Sequence, residues 1–370
     1  MNILYASNSD FASRQANAIQ VMNMSRAFAR QGHPVVLSGF GPALASDGGL
    51  TLQLLRWPWQ RLRLRMLLWH TRRQVVRHRP DLVFTRHALL ARQARSLGVP
   101  VALELHSLPR PDSTASGVLR SLLNDPGIRR VVTISRGLAD DLKAQYAVEA
   151  ARVVVAHDGA EAGPKPRAAG AQAGALRAGY FGHLYPGKGM EMIAALAPAV
   201  PETRFEVYGG TEDDIARWRS QTAGLPNLTL HGHIPHAEVA ARQAECDILL
   251  APYAQQVSHS GGGDISRWMS PLKLFEYMAA GRPVVTSDMA VLREILTHGE
   301  TAILCPPDDV GAWAAGLRRL AGDAPLRERL GAAGRDLLER EYTWDRRAER
   351  VLEGLGPDRS AATACRDSAP

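Results

Sequence analysis

Short apolar runs of β-type residues alternate with segments whose apolar positions recur every three or four residues, and this continues through nearly the whole chain. Such alternation is the mark of parallel sheets covered by helices. The pattern predicts strands at Asn2–Ala6, Val35–Ser38, Leu82–Thr85, Val101–Leu105, Val131–Ile134 and Arg152–Ala156. Between them it predicts helices at Asn17–Gln31, with Ile19, Met22 and Phe28 on one side, around Leu89–Leu97, and from Ser135 to Tyr146. After an Ala-, Gly- and Pro-rich stretch without periodicity, read as an interdomain linker, the alternation restarts. Strands are expected at Arg177–Phe181, Arg204–Tyr208, Leu228–Leu230, Asp247–Ala251, Val284–Ser287 and Ala302–Cys305, with helices between them and from Val310 to about Leu355. The reading is therefore an α/β protein of two Rossmann-like halves facing a cleft: residues 1–160, a linker at 161–176, residues 177–340, a C-terminal helix at 341–355 that packs back on the first half, and an unpatterned polar tail at 356–370.

The stretch from Ser270 to Val285 carries its own start and stop signals. Ser270 suits a helix cap, Pro271 the first helical position, Gly281 the left-handed residue beyond the end, and Pro283 prevents continuation, so a helix is predicted over Pro271–Ala280. Gly261–Gly263 lie just upstream, placing a glycine loop before a helix start whose free amides and positive dipole end suit a diphosphate. Glu276 sits one turn further on, roughly 5.4 Å along the axis, at a fitting offset for a carboxylate accepting two ribose hydroxyls. Taken alone, the same residues also describe an ordinary capped helix whose Glu276 faces water.

Composition narrows the choices. The chain has 370 residues and 45% hydrophobic content, enough for two cores. Its three cysteines are far apart and odd in number, which supports neither a disulfide framework nor a cysteine metal site. Met1 leads directly into a strand and no apolar run approaches the roughly 20 residues of a membrane span, so a cytoplasmic location is expected. The net charge of +7 favours an anionic partner. Much of it is local: Arg56 to Arg79 hold eight arginines and no acid, interleaved with Trp57, Trp59, Leu62, Leu64, Met66, Leu67, Leu68 and Trp69. That composition fits a helix packed on its sheet with a solvated basic face, and equally an interfacial helix docking on the anionic inner face of the cytoplasmic membrane. No nucleic-acid module surrounds it, and nucleic acid is not an expected partner.

Polar and glycine residues gather where α/β proteins bind ligands, beyond the carboxyl ends of strands. In the first half these are Ser7 to Asn17, with Ser13, Arg14 and Asn17, and then His106-Ser107. In the second they are Gly182-His-Leu-Tyr-Pro-Gly-Lys188-Gly189, Gly209-Gly210, and the loop from Tyr253 to Met269. A loop lysine is usually solvated and a histidine after a strand is often structural, but their joint placement at corresponding strand ends argues for a site. His231, His233 and His236 come without Cys or carboxylate partners at ligand spacing, and no metal is expected.

On these residues the chain resembles glycosyltransferase family 4, retaining nucleotide-sugar-dependent enzymes of the GT-B fold. The markers are Ser270-Pro-Leu-Lys-Leu-Phe-Glu-Tyr-Met-Ala-Ala-Gly-Arg-Pro-Val-Val, Tyr180-Phe-Gly-His-Leu-Tyr-Pro-Gly-Lys-Gly, Leu230-His-Gly-His-Ile-Pro-His, Ala244-Glu-Cys-Asp-Ile-Leu-Leu-Ala-Pro-Tyr, Val132-Thr-Ile-Ser-Arg-Gly-Leu and the Gln31-Gly-His-Pro-Val turn. The resemblance runs from about Asn2 to Arg350. It implies that Glu276 binds the donor ribose, that Lys188 neutralises the donor diphosphate beside the amides of Leu272 and Lys273 after Ser270 and Pro271, and that His183 and Gly209 line the same donor site. It further implies that His106 lies near the reacting sugar, with Ser13, Arg14 and Asn17 on the acceptor side.

Two positions depart from the family pattern: His183 stands where an arginine commonly accompanies the lysine, and Trp268 where a first carboxylate commonly precedes Glu276, leaving Asp264 or Ser266 as substitutes. The resemblance implies a metal-independent hexosyltransferase without cofactor. It takes a nucleoside-diphosphate sugar as donor and a lipid-linked or saccharide acceptor of cell-surface polysaccharide biosynthesis. A nucleotide-sugar binding protein without transferase activity and a 2-epimerase of the same fold are the alternatives.

Overall fold

A computed structural model of the chain describes residues 1–12, 16–42, 48–56, 62–163, 175–257 and 264–356. It divides into two compact units, the first of Met1–His157 together with the segment from Trp344 onward, the second of Asp158–Thr343.

The first unit runs β1 (Ile3–Asp10), α1 (Ala16–Arg30), β2 (Val35–Phe40), β3 (Leu50–Leu55), α2 (Arg63–His78), β4 (Leu82–Thr85), α3 (Ala88–Ser96), β5 (Val101–Leu105), α4 (Thr114–Leu123), β6 (Ile128–Thr133), α5 (Arg136–Gln145) and β7 (Val153–Val155). Its seven strands order as β3-β2-β1-β4-β5-β6-β7, all parallel. The central strands are buried on both faces, which is why they read as continuous apolar runs. Tyr5 and Phe28 both pack edge-on against Phe84, at 4.8 and 5.3 Å between ring centroids.

The second unit continues with β8 (Leu176–Phe181), α6 (Met190–Ala199), β9 (Thr203–Tyr208), α7 (Glu212–Gln221), β10 (Leu228–Gly232), α8 (His236–Ala244), β11 (Ile248–Ala251), α9 (Leu272–Ala279), β12 (Val284–Ser287), α10 (Ala290–Arg293), β13 (Ile303–Cys305), α11 (Val310–Gly322) and α12 (Ala324–Leu337). Its six parallel strands order as β10-β9-β8-β11-β12-β13. One face packs on Trp313, Leu317 and Leu330, the other on Phe275, Tyr277 and Met278. The order reverses at β8/β11, and in such sheets ligands bind beyond the carboxyl ends of the strands at that point. The last helix among the described residues, α13 (Trp344–Leu352), belongs to the first unit and lies against α1, where Arg30 pairs with Asp345 at 2.7 Å.

Three local readings change. β1 runs four residues past Ala6, because Ser7, Asn8, Ser9 and Asp10 carry no apolar signal yet the strand rejoins β2 at Asp10 opposite Phe40. β3 and α4 have no counterpart in the sequence reading. Both lean on partners for their burial: β3 is an edge strand with only Leu50 fully covered, and α4 inserts Leu119, Leu122 and Leu123. The third change is at α9. Pro271 stands at its cap with no side-chain hydrogen bond, so Ser270 does not cap it. The Ser270 hydroxyl instead accepts the Asp158 amide at 2.8 Å, and the helix starts one residue later, with Pro271 in the extended cap conformation.

Candidate active site

In the second unit the loop after β8 and the start of α9 come together. The Phe181 amide donates to the Tyr277 hydroxyl at 2.8 Å, which ties α9 to the end of β8. Gly182 follows, and a Cβ there would stand 2.8 Å from Lys273 Nζ. Gly209 has φ +117°, and a Cβ there would stand 2.1 Å from the Gly182 carbonyl oxygen. Only glycine allows these two strand ends to touch.

Lys273 is the residue this contact serves. Its Nζ is closed off from solvent and has no hydrogen-bond partner; it stands 4.0 Å from the ring centroid of Tyr180 and 5.2 Å from that of Tyr253. Lys188 reaches the same Tyr253 ring at 5.8 Å, so the two ammoniums share one aromatic ring as a cation–π partner. Burial, with Lys188 adding to it, holds the Lys273 ammonium well below the ordinary lysine range, while Glu276 opposes this. Burial also lowers Lys188. His183 stacks on Tyr185 at 4.8 Å, and burial, then Lys273 and Lys188, push its imidazole toward the neutral form. Lys273, Lys188 and the surface-exposed His183 therefore lie near one another, with Glu276 as the nearby acid. Burial raises the Glu276 carboxyl, with His236 and Lys273 opposing. Leu272 and Lys273 form the first turn of α9, whose amides lack intrahelical partners.

Asp264 accepts the amides of Val257 and Ser266 at 3.1 and 2.9 Å, which uses it as a loop brace and lowers its carboxyl despite the cost of burial. His231 pairs with Glu206 at 2.6 Å and stacks on Tyr208. Among the described residues no group of three or more His, Cys, Asp or Glu side chains is arranged to hold a metal. The glycines at 261–263 lie outside the described residues.

In the first unit, Ser13 and Arg14 lie outside the described residues. The Asn17 side chain accepts the Ala18 amide at 2.8 Å in the first turn of α1. His106 follows β5 and bonds through Nε2 to Glu104 Oε1 at 2.6 Å. Glu104 is 0% exposed and also receives Gln20 Nε2 at 2.8 Å and Arg347 Nη2 at 2.9 Å.

Sequence reading named Tyr180 only within a motif and Tyr253 only as the start of a strand-end loop, giving neither a role, and it missed Glu104. The two tyrosines look like core residues, which they also are. Glu104 had a usable signal: it is the one acid inside the otherwise apolar run Val-Ala-Leu-Glu-Leu, two residues before a polar strand end.

Two Rossmann-like units, one bringing Lys188 and Lys273 close together beyond the strand ends at its switch point, define a two-domain α/β protein. Residues 18–162 match the family model described as Glycosyltransferase Family 4, and residues 175–323 the model described as Glycosyl transferases group 1. The chain is 33% identical over 173 residues to a phosphatidyl-myo-inositol mannosyltransferase of Mycobacterium leprae, a match that takes in 45% of this chain and 42% of the relative. Its fold is similar to that of sucrose-phosphate synthase from Thermosynechococcus elongatus, with TM-score 0.77, 18% identity, and 98% and 99% of the two chains covered. It is similar also to Anabaena Alr3699/HepE in complex with UDP, with TM-score 0.73, 15% identity, and 96% and 99% covered. The chain belongs to the family 4 glycosyltransferases and has their two-unit GT-B class of fold. It spans under half the length of the mannosyltransferase it matches.

Proposed function

We propose that the protein is a retaining glycosyltransferase that moves a sugar from a nucleoside-diphosphate sugar to a lipid-linked glycan acceptor. The observation that carries this is the pair Lys188 and Lys273 over Tyr253, both lowered by burial, with the Lys273 ammonium closed off and without a hydrogen-bond partner among the described residues. Burying like charges together is unfavourable unless a polyanion completes the site. A diphosphate does so, and its charge grows as the bond to the anomeric carbon breaks, so the cations and the first turn of α9 stabilise the leaving group more than the bound donor. Lys273 thereby takes over the second positive charge, since its neighbours disfavour a protonated His183. Glu276, one turn further along α9, accepts the ribose hydroxyls. The UDP complex of the HepE relative supports the nucleotide class, and the mannosyltransferase relative, by its name, supports a lipid acceptor.

Incubating the protein with a panel of nucleoside-diphosphate sugars tests this: one of them is expected to release nucleoside diphosphate in the presence of acceptor, at a rate unchanged by a chelator. Glu276→Ala is expected to weaken binding of that donor by about 1.5 to 3 kcal/mol per lost charge-assisted hydrogen bond. Unchanged affinity would remove Glu276 from the ribose site.

Acceptor delivery is assigned to α2. It buries Leu67, His70, Thr71, Gln74 and Val75, and turns outward Leu64, Trp69 and Val76, the last two 51% and 64% exposed, beside exposed Arg65, Arg72, Arg73 and Arg77. Trp57, Trp59 and Arg61 lie outside the described residues. An exposed tryptophan flanked by arginines without acids suits an anionic leaflet, each basic group adding roughly 1 kcal/mol. The protein is expected to float with anionic vesicles at low salt and to be released by high salt or by replacing Arg65, Arg72 and Arg73 with Gln. Absence of binding at low salt would remove the membrane role. No helix among the described residues is long and apolar enough to cross a membrane.

A further inference from the structure

Glu104 lies in the middle of the first unit's sheet, wholly inaccessible, on a strand otherwise built of Val, Ala and Leu. A carboxylate there must be paired on both oxygens or it neutralises. Oε2 takes Arg347 Nη2 at 2.9 Å. Oε1 takes His106 Nε2 at 2.6 Å and Gln20 Nε2 at 2.8 Å, with Arg86 Nε 3.7 Å away. The Gln20 carboxamide is oriented by its other end, whose oxygen accepts from Arg86 Nη1. Arg347 is itself held: Nε donates to the His157 carbonyl at 2.9 Å, Nη1 approaches Met24 Sδ at 3.3 Å, and the guanidinium lies 6.0 Å from the Trp344 ring centroid.

An apolar pair of similar volume would join β5 to α13 without the desolvation cost, so stability alone gives no reason for this arrangement. Its chemical product is at His106. A carboxylate oxygen only accepts, so the ring nitrogen facing it must carry the hydrogen. That sets both the flip of the imidazole and its tautomer, with the neutral ring's lone pair on Nδ1. We propose that Glu104 is the positioning residue for His106, and that Arg347, arriving from the last helix, clamps Glu104 in place for that task. The proposal rests on the reading that His106 acts on the transferred sugar. It adds that the final helix, 243 residues away in sequence from Glu104, controls that histidine.

The test uses the full chain with both charges removed together, so that neither is left buried alone. In ¹⁵N-imidazole NMR spectra, with His106 assigned by difference against His106→Gln, the wild type is expected to show the Nε2–H tautomer. Glu104→Leu/Arg347→Met is expected to give a tautomer mixture, and kcat reduced by about tenfold or more with the donor KM within about twofold. Glu104→Gln/Arg347→Met, which restores an acceptor but no charge, is expected to recover the tautomer and only part of kcat. The proposal is overturned if Glu104→Leu/Arg347→Met keeps the Nε2–H tautomer, or if the tautomer shifts and kcat does not. A wild type that turns over no nucleotide sugar but shows the tautomer shift would support the positioning and remove the transferase reading instead.

Discussion

Lys273→Met is expected to lower turnover by about 10²- to 10³-fold while weakening donor binding by only about tenfold, the signature of a group that acts mainly on the departing diphosphate. Methionine keeps much of the side chain's length beside Tyr180 and Tyr253, so the loss reports charge and not packing. Lys188→Met should behave alike. Equal losses in affinity and turnover would make both lysines ground-state anchors.

A proton-linkage measurement separates Lys273 from its neighbours. In the free protein, burial and Lys188 hold the Lys273 ammonium well below the ordinary lysine range. A bound diphosphate favours the charged form and raises it. Binding must then take up a proton where the free site is deprotonated and the complex is not, and donor affinity must rise as pH falls through the free-state value. Calorimetry of nucleoside diphosphate in two buffers of different ionisation enthalpy reads this uptake. His183 and Lys188 lie near Lys273 and are also shifted down, so His183→Gln and Lys188→Met are the controls. Uptake is expected to survive His183→Gln and to diminish most in Lys273→Met. If Lys273→Met leaves it intact, the buried ammonium is not where the proton goes.

Arg347→Ala is expected to destabilise the first unit by about 3 to 5 kcal/mol, because it leaves Glu104 charged, buried and without its main counter-ion. Removing both partners, as in Glu104→Leu/Arg347→Met, should recover most of that loss. The pH dependence has a definite sign. Burial alone would raise the Glu104 carboxyl, but Arg347, His106 and Arg86 together hold it well below the ordinary carboxylate range. A depressed carboxylate contributes stability that is present above its unfolded value, near 4.5, and is lost as pH falls from there through the folded value. In Arg347→Ala that contribution shrinks, so acid unfolding should begin at higher pH. Urea titrations across this range measure it, and a variant matching the wild type at every pH would show that the pair contributes nothing net.

Much of this protein was legible before any coordinates. The alternation of apolar runs and helical periodicities determined two parallel α/β halves, since strands buried on both faces must be apolar throughout and their covering helices must carry a stripe. Local chemistry placed Lys188, Glu276 and His106 at strand ends and on the helix that bears the family motif, because glycine and proline punctuate such turns by sterics that act within a few residues. Where the signal was polar or the burial came from a distant partner, sequence was silent. The tail of β1 reads Ser-Asn-Ser-Asp, β3 is an edge strand, and Ser270 looked like a cap until its hydroxyl met Asp158. Charge pairing was the least visible of all. That Lys273 lies closed off over two tyrosines, that Gly209 must meet Gly182, and that Arg347 crosses to Glu104 are facts of close approach between residues tens to hundreds of positions apart. Periodicity carries no record of such contacts; they exist only once the sheets have formed and the helices have closed over them.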